Sequence, residues 1–225
     1  MRVIGVAAKG RQVFEGRLEH GVDPRVLAYE AGWVVLRPVE SDLDEHGEIR
    51  LVLRVRHRRK GDGHPRTRKP GRDRGLKQST EAPVVRQRFA AYAVVESSRG
   101  LLATEYSDLT AVSGRWGMPG GGIDEGEEPV AAVVREVHEE TGQTVDVGDL
   151  VLVQSSHWVG RSPRGGVEDF HAVRLVYRGT CSAPTDPVVH DQGGTTADAR
   201  WIESDRWQDL TWTANWRQAL RRLLR

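Results

Sequence analysis

Three glutamates, Glu136, Glu139 and Glu140, stand at positions i, i+3 and i+4, so a helix through them would carry all three carboxylates on one face. Like charges so placed repel one another, and something positive must offset the repulsion. Oxygen-only ligands favour hard cations, so the chemistry implied is the binding of Mg2+, with Mn2+ as the alternative. Arg135 lies four residues before Glu139 and is placed to orient that carboxylate through an ion pair. The competing reading of the bare spacing is an acidic helix face solvated by water.

The residues around the three glutamates say how they would be held. Residues 120–143 read GGGIDEGEEPVAAVVREVHEETGQ. Glycines 120–122 let the backbone bend tightly and bring main-chain oxygens close to a ligand. Gly126 ends that loop, and Glu127 and Glu128 are expected in the first helical turn, where carboxylates complement the helix dipole and Pro129 fits. Alanines and valines at 130–134 supply an apolar helical face, and Gly142 supplies a C-terminal stop.

This run resembles the Nudix box, G-x5-E-x7-R-E-U-x-E-E-x-G-U, where U is a bulky aliphatic residue. Gly121, Glu127, Arg135, Glu136, Val137, Glu139, Glu140 and Gly142 match at the required spacing, eight positions across 22 residues. Gln143 departs, standing where an aliphatic residue is usual, which bears on local packing more than on catalysis. The resemblance implies a hydrolase of nucleoside diphosphates linked to another moiety. It implies that Glu136, Glu139 and Glu140 bind the divalent metal with the Gly120 carbonyl, and that Glu127 assists through a metal-bound water or an ion pair. Glu139 or Glu140 would accept the proton or position the attacking water, and Arg135 would orient the carboxylates rather than touch substrate.

The flanking phrases GRWGMPGGG at 114–122 and GGTTADARW at 193–201 are also similar to bacterial Nudix hydrolases. Many relatives carry a further acidic residue near the second phrase; Asp198 is the nearest match, with Asp191 the alternative. Trp116 is a candidate wall of a base pocket or a core residue. His157 and His171 lie near the ends of the presumed cleft and are candidate substrate contacts, while His138 occupies a variable, solvent-facing position. No His/Cys cluster has zinc-ligand spacing.

At 225 residues and 38% apolar, with seven tryptophans, the chain can form one large domain or one domain plus a smaller one. The formal charge of +1 conceals a local imbalance: residues 54–77 hold eleven Arg or Lys against Asp62 and Asp73, leaving the remainder acidic. Cys181 is the only cysteine, so an internal disulfide is excluded and a reducing compartment fits. Residues 1–10 have no apolar core long enough for a signal peptide. The longest apolar run, residues 89–95, is seven residues long, far short of the ~20 needed to span a bilayer. A cytoplasmic protein without membrane contact is expected.

Residues 1–58 read as a small β-rich unit, with strands expected over 12–18, 26–39 and 48–57 and a turn over 41–47. In the last strand Ile49, Leu51, Leu53 and Val55 alternate with Arg50, Arg54 and Arg56, giving one buried and one basic face. Residues 59–85 read as a basic, Gly/Pro-rich linker unable to bury enough surface to order itself. Either it is a tether, or its charges contact RNA or acidic partners. Residues 86–225 have the size of a Nudix domain. Strands are expected over 89–96 and 101–106 as a hairpin, then over 145–147, 150–154, 157–159, 170–178 and 199–202, with a loop at 161–166. Trp212, Trp216, Leu220, Leu223 and Leu224 recur at helical spacing as a core-facing stripe.

This order suits the α/β (α+β) class: a Nudix-type α/β/α sandwich with a mixed sheet, plus the small β-rich N-terminal extension. The expected activity is metal-dependent hydrolysis of a pyrophosphate bond in a nucleoside di- or triphosphate derivative, a nucleotide being the small-molecule partner. An RNA 5′-end pyrophosphohydrolase, engaging nucleic acid through residues 54–77, is one alternative. A catalytically silent nucleotide-sensing regulator is another, and the sequence is compatible with a homodimer.

Overall fold

The computed structural model describes residues 1–65, 70–73, 76, 81–162, 165–191 and 193–224. The chain forms two compact units. The first comprises Met1–Ala90, Ile123–Pro129 and Leu152–Leu175, and the second Ala91–Gly122, Val130–Val151 and Val176–Arg225.

The first unit opens with β1 (Arg2–Val6), β2 (Gln12–Arg17), α1 (Pro24–Glu30), β3 (Trp33–Leu43) and β4 (Ile49–His57). The four strands form a sheet in the order β2-β1-β4-β3, with β1 parallel to β4 in the register Arg2↔Arg50 through Val6↔Arg54. Val3, Leu51, Leu53 and Val55 are buried on it. The expected strand over 26–39 is corrected at its start, because residues 26–30 are helical. Asp23 caps that helix by accepting from the Arg25 amide at 2.8 Å, and Pro24 occupies its first turn. A cap and a proline at N1 outweigh the β propensity of Val26. The strand β1 was also not anticipated.

The basic face expected on β4 is present but largely occupied. Arg50 forms a two-pronged pair with Asp42, Arg56 does so with Asp62, and Arg54 donates to the Ala7 carbonyl. Most of the basic run at 66–80 lies outside the described residues. Among the described residues of the expected linker at 59–85, Gly71–Arg72 form β5, which pairs parallel with Trp158 and Val159 of β10.

The remaining elements are β6 (Val84–Ser97), β7 (Gly100–Tyr106), β8 (Trp116–Gly117), β9 (Gly120–Gly122), α2 (Pro129–Thr141), β10 (Asp146–Arg161), β11 (Val167–Thr180), β12 (Thr196–Ile202) and α3 (Ala214–Leu223). Among the described residues their strands follow the order β12-β7-β6-β11-β10-β5, with β8 on β7 and β9 on β6. The hairpin expected at 97–100 is present, with Glu96 opposite Leu101 and Ser97 opposite Gly100. The three fragments expected between 145 and 159 are one continuous strand, β10. The class is therefore the mixed-sheet α+β architecture that the sequence implies. Among the described residues no helix is long and apolar enough to cross a membrane.

In the second unit two helices matter for the site. On α2 the buried stripe is Ala132, Val133, Val137, Glu140 and Thr141, while Val130 and Val134 are exposed, which corrects the apolar face expected at 130–134. The stripe follows the 3.6-residue period and takes a carboxylate inside with it. On α3 the side chains of Trp216, Ala219 and Leu220 are buried, and Thr213 caps the N-terminus. Trp212 is buried just ahead of the helix, bridged through its backbone to Trp116.

Candidate active site

The glycine strand β9 and the helix α2 meet at Glu140. This side chain is 7% exposed; its Oε2 accepts from the Gly120 amide at 2.9 Å and its Oε1 from the Thr196 hydroxyl at 2.5 Å. A buried carboxylate is costly unless such donors satisfy it. Burial pushes the Glu140 carboxyl up to about 7, the two hydrogen bonds pull against that shift, and the negative charges of Glu136 and Asp191 add to it. Carboxylates thus gather around a buried one whose charged form burial disfavours, a cost that a bound cation would offset.

The glycines are required here by space. A Cβ on Gly120, whose φ is 138°, would strike the Ala91 carbonyl and the Tyr92 backbone. A Cβ on Gly121 would occupy the volume of the Glu136 carboxylate. The close approach of β9 to the glutamate face therefore depends on residues without side chains.

Arg135 organises the remaining two carboxylates. Its Nη1 donates to Glu136 Oε1 at 3.0 Å and to Glu139 Oε2 at 3.1 Å, and its Nη2 donates to the Gly122 carbonyl at 2.9 Å. One guanidinium therefore ties the helix to the glycine strand and draws two carboxylates together, as its planar fork permits. Glu139 is the most open of the three, its side chain 44% exposed against 16% for Glu136.

Glu127 is not in the first turn of α2, which begins at Pro129. It closes the preceding turn instead, its Oε2 accepting from the Asp124 amide at 2.9 Å while its own amide donates to the Asp124 carbonyl. Glu128 likewise precedes the helix and accepts from the Leu43 amide at 3.2 Å. The sequence expectation for both fails because Pro129, buried at the true N-terminus, fixes the helix start two residues later.

Of the two candidate aspartates, Asp191 lies against the glutamates. Its amide donates to the Glu139 carbonyl at 3.1 Å, and its charge reaches Glu140. Asp198 is turned to Arg200 at 2.7 Å and to the Ala199 amide at 2.8 Å. Trp116 is 6% exposed, with the Arg200 guanidinium 5.2 Å from its ring centre. Thr196 was missed by sequence reasoning; its place in the GGTTADARW phrase was the available signal.

Gln143, the departure from the box, is 2% exposed and fully engaged. Its Nε2 donates to the Thr141 carbonyl at 3.1 Å and to Thr185 Oγ1 at 2.9 Å, and its Oε1 accepts from the Thr185 amide at 3.0 Å. Polar pairing here does the work of aliphatic packing, fastening the helix end to the segment around 181–185.

His157 and His171 gather in the first unit with His20 and Asp169. His20 Nε2 and His157 Nε2 both meet Asp169 Oδ1, at 2.9 Å and 2.5 Å. His171 bonds Gln87 through Nδ1 and Ser155 through Nε2, each at 2.9 Å, and burial with two neighbouring imidazoles pushes it down to about 4. Burial raises the Asp169 carboxyl, but the two imidazoles bonded to it outweigh that and hold it below its usual range.

The family model described as NUDIX domain matches residues 86–223. Among curated proteins the chain is 37% identical over 73 residues to Nudix hydrolase 26, chloroplastic, of Arabidopsis thaliana, a match covering 32% of this chain and 31% of that protein. It is 33% identical over 102 residues to the RNA pyrophosphohydrolase of Brucella anthropi, covering 41% of this chain and 54% of that one. The chain thus spans about a third and about half the length of these two relatives. Among solved structures it is similar to the NUDIX domain of Shewanella oneidensis NrtR complexed with ADP ribose, at 20% identity and a TM-score of 0.47, covering 61% of this chain and 86% of that one. With the domain model matched across more than half of its length, the chain belongs to the Nudix family.

Proposed function

We propose that this chain hydrolyses a pyrophosphate bond in a nucleoside di- or triphosphate derivative, using a divalent cation held by Glu136, Glu139 and Glu140 with the Gly120 carbonyl. The observation that carries the reading is the buried Glu140, whose carboxyl is pushed up to about 7 by burial and by neighbouring carboxylates. The donor set is all oxygen and anionic, which fits Mg2+ and, as an alternative, Mn2+. When bound, such an ion offsets charge developing on phosphate oxygens and lowers the pKa of water.

The chain's own residues then divide the remaining tasks. Glu140, held by Gly120 and Thr196, fixes one edge of the site. Glu139, the most open of the three carboxylates and steadied together with Glu136 by Arg135, is the residue we assign to take the proton from the attacking water. Arg135 acts through the carboxylates and is a positioning residue. Asp191 adds negative charge beside Glu140, a role we assign to it in preference to Asp198. Glu127 shapes the turn before α2.

A nucleotide panel with Mg2+ tests this reading: oxidised dGTP, ordinary triphosphates, ADP-ribose and dinucleoside polyphosphates, with wild type set against Glu139→Gln. Metal-dependent release of phosphate or pyrophosphate that disappears in the variant supports it. Tight nucleotide binding by folded protein without turnover would replace it with the nucleotide-sensing regulator.

A second reading, hydrolysis at an RNA 5′ end, has its own observation. A groove of about 470 Å³ in the second unit is lined by Arg115, Arg217 and Arg221 together with Trp212, Ala214 and Gln218. Three arginines along one groove suit the phosphates of a polyanion. A relative named RNA pyrophosphohydrolase points the same way. Arg54 and Arg56 are already paired, so the groove is a better candidate contact than the described part of the basic segment. Turnover of 5′-triphosphorylated RNA that falls steeply with salt and with Arg217→Glu would favour this reading.

A further inference from the structure

We propose a second metal site in the first unit, in which His20 Nε2, His157 Nε2 and Asp169 Oδ1 bind a first-row divalent cation of the Zn2+ class and clasp the segment before α1 to strands β10 and β11. It lies apart from the hydrolytic reading and does not rest on it.

The argument begins with convergence. Two imidazoles direct the same nitrogen at one carboxylate oxygen, at 2.9 Å and 2.5 Å, and the three ligand atoms lie within 4.8 Å of one another. Tetrahedral coordination with metal–ligand bonds of ~2.0–2.1 Å separates ligand atoms by about 3.3 Å, so small side-chain adjustments admit the ion. Two neutral nitrogens and one carboxylate form a borderline donor set suited to Zn2+ and ill suited to Mg2+, which prefers oxygen and water.

Orientation supplies the second observation. His20 Nδ1 is buried with no hydrogen-bond partner among the described residues. The ring's orientation is thus set by what Nε2 meets and not by any partner of Nδ1. His20 is held instead with Nε2 aimed at the cluster. The Gly21 backbone passes so close to His157 that a Cβ there would approach its ring at 2.8 Å, so the two histidines are pressed together by the chain itself.

His171 completes the surroundings without being a ligand. Its ring stands 5.7 Å from His20 and 5.9 Å from His157, edge-on to both. Gln87 and Ser155 occupy its two nitrogens. Since the ligands come from three separate stretches, the ion would cross-link residues 149 apart in the chain.

The test uses the full chain and Zn2+ in the presence of millimolar Mg2+, which occupies the all-oxygen site. Competition against a chromophoric chelator should give one Zn2+ per chain, and Asp169→Asn and His157→Gln should each weaken it at least tenfold while Glu139→Gln leaves it unchanged. Zn2+ should also raise the wild-type Tm by several degrees. Equal Zn2+ affinity in all variants, or loss only in Glu139→Gln, would overturn the assignment. Should the histidine variants fail to fold, X-ray absorption at the zinc edge of wild type decides: two imidazoles with oxygen support the site, and an all-oxygen sphere ends it.

Discussion

The two clusters of ionisable groups hold their charge in opposite ways. In the second unit, carboxylates stand close together and are restrained by donors: one guanidinium for Glu136 and Glu139, an amide and a hydroxyl for Glu140. In the first unit, two imidazoles meet a single carboxylate, and a third beside them is driven toward neutrality. Excess negative charge in an oxygen set calls for a hard cation, whereas nitrogens around one oxygen call for a borderline one. A protein can hold both because each donor set suits a different ion.

The largest effect that could break this contrast is on turnover. Glu139→Gln keeps the shape of the site and removes the proposed proton acceptor, so kcat should fall by about 10²–10⁴-fold. Glu140→Gln should fall comparably through loss of charge at a buried position. Retention of near-normal turnover in either would dissolve the carboxylate half of the comparison.

Next comes pH, where the clusters should pull stability in opposite directions. In metal-free protein the folded Glu140 carboxyl, near 7, lies above the ordinary glutamate value of 4.5. The folded state therefore binds more protons between these values, and stability declines as pH rises from about 4.5 to about 7, by up to roughly 3 kcal/mol. His171, near 4 when folded against 6.5, does the reverse: the unfolded state takes the proton, so stability is lost as pH falls from about 6.5 to about 4. Urea titrations in EDTA at pH 5 and pH 7.5 should show Glu140→Gln becoming relatively more stable than wild type at the higher pH. His171→Gln should flatten the acid limb instead. Parallel slopes in both variants would show that the two environments are not opposed.

Arg135→Ala should act more weakly than loss of a glutamate, lowering kcat about tenfold, because the carboxylates remain but lose their common anchor to Gly122. Arg135→Lys should restore only part of that loss, since an ammonium cannot span Glu136, Glu139 and the Gly122 carbonyl at once. A change confined to KM would mean that Arg135 touches substrate and does not merely position the glutamates.

The two clusters also differ in how far they could be read before the structure. The carboxylate site is local: Glu136, Glu139 and Glu140 share one helix, the glycines precede it, and spacing alone brings them together. What spacing could not give was the helix start, set by Pro129, or the inward turn of Glu140, which leaves Val130 and Val134 outside. Residues 26–30 were misread because a cap at Asp23 overrides strand propensity. The histidine cluster is nonlocal. His20 meets Asp169 across 149 residues, so no ligand spacing existed to find, and His157 and His171 were visible only as isolated candidates.

The smallest predicted effect concerns a polar group that carries no charge. Gln143→Leu installs the aliphatic residue usual at this box position and removes the bonds to Thr141 and Thr185. The Thr141 carbonyl keeps the Val188 amide at 3.0 Å, and exposed Thr185 can turn to water, so few groups are left unpaired. Burying leucine recovers part of the difference through apolar contact. The expected loss is therefore no more than about 1 kcal/mol by urea denaturation, with turnover within twofold of wild type. A tenfold fall in kcat would instead mean that the fastening of the helix end reaches back to Glu139 and Glu140, so that the carboxylate site, like the histidine cluster, depends on residues far away in the sequence.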